Sequence, residues 1–238
     1  MNNHYVKAVS YVRLPSERMQ EQAAFAADIL GLQRIPDQFG QVSFRSDARY
    51  HTLTYVGADK EPSIGIEIDG EEALATVATA LEQAGFPVTP VGEQECRERY
   101  VVRALKTQDG SGNVFDLVLR PVNHGRRFFP TRDCGVVGFH NVGLRSTNVE
   151  RDVAFWSALG ARASDWVGAI TYLRIDSAHH RIALYPSDRA GLLYMAFEVE
   201  GLDQIMQSSN FAQKRQVPIV QGPGRQTASG QIFLHLQG

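Results

Sequence analysis

The sequence predicts an α+β protein made of tandem βαβββ modules in two half-barrel-like domains. Three observations carry this reading: an internal repeat at nearly constant spacing, strands and amphipathic helices in the same order in both copies, and one aperiodic stretch between them. Arg45, Asp47 and His51 find counterparts in Arg174, Asp176 and His180, each 129 residues on. Glu67-Ile-Asp-Gly70 answers Glu198-Val-Glu-Gly201 at 131 residues, Gly85-Phe-Pro87 answers Gln216-Val-Pro218 at the same distance, and Phe25 and Gly31 answer Phe155 and Gly160. Matches that hold their order and register over such a length indicate duplication of one module.

Each copy opens on a strand, Val6 to Leu14 in the first and Val136 to Leu144 in the second, and a helix follows. In the second copy Asn148 supplies an N-cap and Gly160 a C′ residue, with Val149, Val153, Trp156 and Leu159 on one helical face. A further helix is predicted over Glu71 to Ala84, ending at Gly85, with Leu74, Val77, Ala78 and Leu81 at helical spacing. Its counterpart runs from Leu202 to Gln216 and leads into a strand at Val217 to Val220. The first copy closes on a strand from Asn113 to Leu119. Residues 121 to 135, PVNHGRRFFPTRDCG, break all periodicity, which places the domains at 1–122 and 136–238. The repeat spacing would put the partner of the Asn113 to Leu119 strand after Gly238, so the second domain is expected to lack its last strand. On this reading the natural chain is longer.

With 24 Lys and Arg against 26 Asp and Glu among 238 residues, the chain has no basic footprint for a nucleic-acid backbone. Its apolar stretches of eight residues or fewer are far short of the roughly 20 needed to span a bilayer, and MNNHYVKAVSYVRL lacks the layout of a signal peptide. A cytoplasmic protein with neither nucleic-acid nor membrane partners is expected, as a homo-oligomer. Cys96 and Cys134 are too few for a disulfide framework or a thiolate zinc cluster, and both are read as reduced.

Three motifs suggest chemistry: Phe139-His-Asn-Val-Gly-Leu144, the pair His179-His180 opening the apolar run Ile182-Ala-Leu184, and the loop Gly222-Pro-Gly-Arg-Gln226 before the last strand. With the tandem modules, they resemble the vicinal oxygen chelate superfamily of glyoxalases, bleomycin-resistance proteins and dioxygenases. Within it the likeness is to two-domain type I extradiol ring-cleavage dioxygenases, over essentially the whole chain.

That resemblance implies Fe(II) or Mn(II) in the C-terminal domain, bound by two His and one Glu with positions left for a catechol-like substrate and O2. The first ligand falls on His140, expected on the same strand face as Val142 and Leu144. The second falls on Tyr194, where the family has His. The third, an acid, is expected beyond Gly238, on the model of Asp109-Gly-Ser-Gly-Asn113 followed by Asp116 in the first copy. His180 matches the family's acid/base His. Gln226 stands where the family often has His and His235 where it has Tyr, so the catalytic set reads His180, His235 and Gln226. His51, the copy of His180, is read as structural, and Ser10, Ser63 and Asp116 leave the first domain a scaffold.

Two functions follow. One is an extradiol-type dioxygenase, or a metal-dependent lyase or isomerase of the same superfamily, acting on a small aromatic diol. The other is a metal-free protein that sequesters a small molecule, with Trp166, Tyr172 and Phe233 joining Tyr194 to line an aromatic pocket and no cofactor bound.

Overall fold

The computed structural model describes residues 5–238. The first half runs β1 (Val6–Ser16), α1 (Met19–Ala24) continued by a π-helical turn over Phe25–Ile29, β2 (Gln33–Arg34), β3 (Val42–Arg45), β4 (Leu53–Gly57), β5 (Ser63–Ile68), α2 (Glu71–Gln83), β6 (Val88–Pro90), α3 (Glu93–Glu98), β7 (Arg103–Gln108) and β8 (Val114–Leu119). The second runs β9 (Val136–Ser146), α4 (Val149–Ala158), β10 (Arg162–Val167), β11 (Ile170–Arg174), β12 (Ile182–Pro186), β13 (Gly191–Val199), α5 (Leu202–Lys214), β14 (Ile219–Arg225) and β15 (Ile232–Leu236). The order matches the βαβββ reading. The short helix α3 and the π-helical turn are additions that the periodicity did not indicate.

Local chemistry explains the helix ends. The Asn148 side chain accepts from Arg151 N and starts α4; Gly160, at φ +88°, stops it while Ala161 N donates back to Trp156 O. Gly85, at φ +78°, ends α2 in the same way, with Phe86 N bonded to Leu81 O. On α4 the buried face includes Asp152 as well as Phe155 and Trp156, so the apolar stripe expected from sequence is interrupted by a carboxylate.

The sheets repeat the same geometry. In the first half β1 pairs β4 in parallel with Val12 opposite Leu53, and β5 antiparallel with Val12 opposite Ile64. In the second, β9 pairs β12 in parallel with Val142 opposite Ile182, and β13 antiparallel with Val142 opposite Met195. These pairings preserve the sequence spacing of the repeat. Beyond them the halves differ. In the first, β8 joins β5 to β7, giving one sheet in the order β2-β3-β4-β1-β5-β8-β7-β6. In the second, β10-β11-β12-β9-β13 form one sheet and β14-β15 a separate pair, and neither half closes into a barrel.

The halves share one core. Phe86 and Phe115 of the first pack edge-on and tilted against Phe155 of α4, with centroids 5.2 and 5.1 Å apart, and Phe115 meets Trp156 at 5.1 Å. Beside this apolar contact, the turn at Asp109 to Asn113 bonds across the boundary. Ser111 N and Oγ donate to the buried Asp152 carboxylate at 2.9 and 2.5 Å, and Gly191 N donates to Asn113 Oδ1 at 2.7 Å. Aromatic packing provides the bulk of the contact and the turn sets its register.

The first half fills its own centre with polar groups. Asp116, fully buried, accepts from Tyr11 Oη at 3.0 Å, Ser63 Oγ at 2.6 Å and Arg99 Nε at 2.9 Å. His51 is buried against the Tyr11 ring, 4.6 Å between centroids. Burial, with Arg13 and Arg49 nearby, pushes the His51 imidazole down to about 3. The folded protein therefore holds His51 neutral while the unfolded chain protonates it near its ordinary value. Its contribution to stability is complete above about pH 6.5 and is lost as pH falls towards 3. Urea unfolding between pH 7 and pH 4.5 should show stability falling with acid. In His51→Phe that fall should be shallower by one proton, on the order of 1.4 kcal/mol per pH unit.

Candidate active site

The parallel pairing of β9 with β12 sets Val142 against Ile182, so His140 and His180, each two residues earlier, enter side by side. The ladder between β9 and β13 then slips: Asn141 faces Ala196, but Phe139 faces Phe197, and His140 is left unpaired in a bulge. Strict alternation would place His140 with Val142 and Leu144. Instead Val142 and Leu144 pack in the core with Phe155 and Trp156, while His140 and Asn141 both line a cavity of about 1010 Å³. The sequence expectation for the His140 face is corrected by that one extra residue.

Asn141 joins the two imidazoles. Its Nδ2 lies 2.9 Å from His140 Nδ1 and 3.2 Å from His180 Nε2, and His179 Nδ1 lies 3.1 Å from His180 Nδ1. His180 is 1% exposed, and burial, then His179, His140 and Arg181, push it down to about 4. Burial, then Arg181, lowers His140, and burial alone lowers His235. All three rings are consequently neutral near pH 7, able to accept a proton or a hydrogen bond.

On β13, Tyr194 stands opposite Gly143 and its ring covers that residue: a Cβ at 143 would come within 2.2 Å of Tyr194 Cε1. The His235 ring stacks on Tyr194 with centroids 5.6 Å apart and Phe233 lies 4.8 Å beyond it. Gln231 Nε2 is 3.4 Å from His140 Nε2, and Gln226 Nε2 donates to Tyr172 Oη at 3.0 Å. The Tyr185 and Tyr194 rings meet edge-on, 5.9 Å between centroids. Burial raises all three phenols to about 12, so each is a protonated phenol at neutral pH.

His140, His180, Tyr194, Gln226, His235, Tyr172 and Phe233 thus meet around one cavity. Trp166 does not: it is 65% exposed on the edge strand β10 and outside the cavity lining. Sequence reasoning missed Asn141, Gly143, Tyr185 and Gln231. Asn141 adjoins His140 and would have been found had the bulge been foreseen; Tyr185 had no signal beyond its place after Ile182-Ala-Leu184.

The donor set does not match the metal that the resemblance implies. Among the described residues no group of three His, Cys, Asp or Glu side chains converges. Tyr194 is a neutral phenol and Gln231 sits beside the free nitrogen of His140. Residues 5–238 therefore do not form a two-His-one-carboxylate site.

The fold matches that of extradiol dioxygenases and is consistent with the vicinal oxygen chelate superfamily. Over 235 residues, 90% of this chain and 78% of the relative, it is 22% identical to a 1,2-dihydroxynaphthalene dioxygenase of Sphingobium xenophagum. A halotolerant catechol dioxygenase superposes with TM-score 0.90 over 98% of this chain and 84% of its own, at 20% identity. A Mn(II)-bound glyoxalase of Novosphingobium aromaticivorans superposes with TM-score 0.85 over 98% and 78%, at 23% identity. No family model matches the chain. No helix among the described residues is long and apolar enough to cross a membrane.

Gly143→Ala should drive the new methyl into the Tyr194 ring. We expect a loss of about 1–3 kcal/mol in thermal or urea unfolding. In a Tyr194→Ala background the same substitution should cost little, which a double-mutant cycle would measure.

Proposed function

We propose that this chain is an extradiol-dioxygenase-type protein that takes up a small dihydroxy aromatic in the cavity of its second half and, with a divalent metal and O2, opens the ring. The observation that carries the reading is the cavity wall itself. Neutral imidazoles from β9, β15 and the turn before β12, together with phenols from β11, β12 and β13, line a pocket with room for a one- or two-ring diol. The names of the relatives support the substrate class and the reaction.

In this reading His140 is the residue that would hold the metal, whose chemistry is to lower the pKa of the diol and bring it together with O2. His180 is the acid/base, neutral at pH 7 and oriented by Asn141. Tyr172 and Phe233 contact the ring, and Gln226 and His235 fix the two sides of the pocket. The remaining ligands are not supplied by residues 5–238, so no step through the metal is assigned. Tyr194, a phenol where the resemblance places an imidazole ligand, favours a second reading, a protein that binds the diol without cleaving it. A homo-oligomer and a cytoplasmic setting belong to the proposal too.

Oxygen uptake with 1,2-dihydroxynaphthalene and with catechol, in Fe(II), in Mn(II) and in chelator, tests both. Uptake matching diol loss with either metal and none in chelator is the expected result. Saturable binding with no uptake under any condition would establish the second reading, and absence of binding would overturn both. His180→Ala should retain diol binding and lower turnover on the order of 100-fold or more.

A further inference from the structure

The cavity continues past the imidazoles, and its far wall is built by both halves and the linker between them. There the linker crosses the end of the π-helical turn. Carbonyls left over at that end accept from three linker side chains: Ala27 O from Thr131 Oγ1 at 2.6 Å, Ile29 O from Arg132 Nε at 2.8 Å and Leu30 O from Cys134 Sγ at 3.5 Å. Carbonyls at a helix end lack partners of their own, and a cation beside them is favoured. Arg132 is held on its other side by α5, where Nη2 donates to Ser208 Oγ at 3.3 Å and the guanidinium lies 4.4 Å from the centre of the Phe211 ring.

These contacts fix the guanidinium without neutralising it. Nη1 has no acceptor among the described residues, and the neighbouring Asp133 makes no ion pair with it. Glu198, the acid on the cavity wall, is exposed. Arg132 and Ser208 both line the cavity, and the wall around them is apolar: Phe25, Ile29 and Leu30 from the first half, Val199, Leu202 and Ile205 from the second. Strand register sets how far this lobe lies from the imidazoles. Val136 pairs with Val199 where the linker enters the sheet, and His140 stands four residues further along β9, about 13 Å at the rise of a strand. At about 1010 Å³ the cavity reaches the top of the roughly 300–1,000 Å³ range of drug-sized ligand sites, more than a single catechol ring fills.

We propose that Arg132 is a second binding point of this cavity, for a carboxylate that an aromatic diol carries at the end of an apolar spacer. The diol lies among the imidazoles, the spacer runs against Phe25, Ile29 and Ile205, and the carboxylate meets Arg132 Nη1 and Ser208 Oγ. A guanidinium suits the role because it stays charged at any working pH and its donors match the two oxygens of a carboxylate. The first half then supplies part of the binding wall as well as a scaffold. The proposal rests on the diol-binding reading and adds the shape and charge of the ligand.

Calorimetric titration of the whole chain with catechol, with a catechol bearing an octanoic acid chain and with the methyl ester of that acid tests this. The acid should bind on the order of tenfold more tightly than its ester, and the advantage should shrink as salt is raised. In Arg132→Gln the ratio of the two affinities should fall to about one, whereas Arg132→Lys, which keeps the charge, should retain part of it. Ile205→Trp fills the lobe from the α5 side and should weaken the ester relative to catechol on the order of tenfold, which keeps the test informative should the Arg132 variants fail to fold. Equal affinity for acid and ester, or an Arg132→Gln protein that loses both alike, would overturn the proposal and leave the diol-binding reading standing. Binding of octanoate that is lost in Arg132→Gln, with no catechol bound, would overturn the diol-binding reading instead and leave Arg132 as a carboxylate site.

Discussion

The active cavity depends on one irregularity in one ladder. Where β9 pairs β13, the step from Asn141 opposite Ala196 to Phe139 opposite Phe197 leaves His140 without a partner. Without the extra residue, His140 and Asn141 would point to opposite faces, because side chains alternate along a strand. With it, both face the cavity, and the amide of Asn141 reaches His140 on one side and His180 on the other. The core is not disturbed: Phe139 and Val142 on either side of the bulge both stay buried in the shared apolar core. A local break in pairing thus converts a core strand into a functional one.

The duplicated halves show two outcomes of the same geometry. In the first half a corresponding slip between Val9 and Tyr11 turns Tyr11 inward, and its hydroxyl, with Ser63 and Arg99, saturates one oxygen of Asp116. A buried carboxylate needs such partners because leaving the charge alone would cost several kcal/mol or more. The centre of that half is occupied by its own side chains. In the second half Asn141 and Tyr194 stand at the positions of Tyr11 and Ser63, with His140 at that of Ser10, and these side chains line an open cavity.

Electrostatics at the open site is dominated by burial. Imidazoles are pushed down and phenols up, so the wall of the cavity at neutral pH carries uncharged donors and acceptors. Such a wall does not repel an aromatic ring.

How far the sequence went can be judged from particular residues. The repeat spacing, the Asn148 cap and the glycines at 85 and 160 act over a few residues or as a simple shift in register, and they were legible because local backbone chemistry alone determines them. His140, His180 and Tyr194, named from the resemblance, line one cavity because equivalent strands of a duplicated sheet keep their pairing. Trp166 was misplaced because an aromatic on an edge strand looks the same in sequence whether its face is covered or bare. The bulge at His140, the Asn141 bridge and the hydrogen bond from Gln226 to Tyr172 were decided only in three dimensions. Each depends on which residue of a distant strand stands opposite, and a slip of one residue in that pairing reverses the direction of a side chain without changing a letter of the sequence.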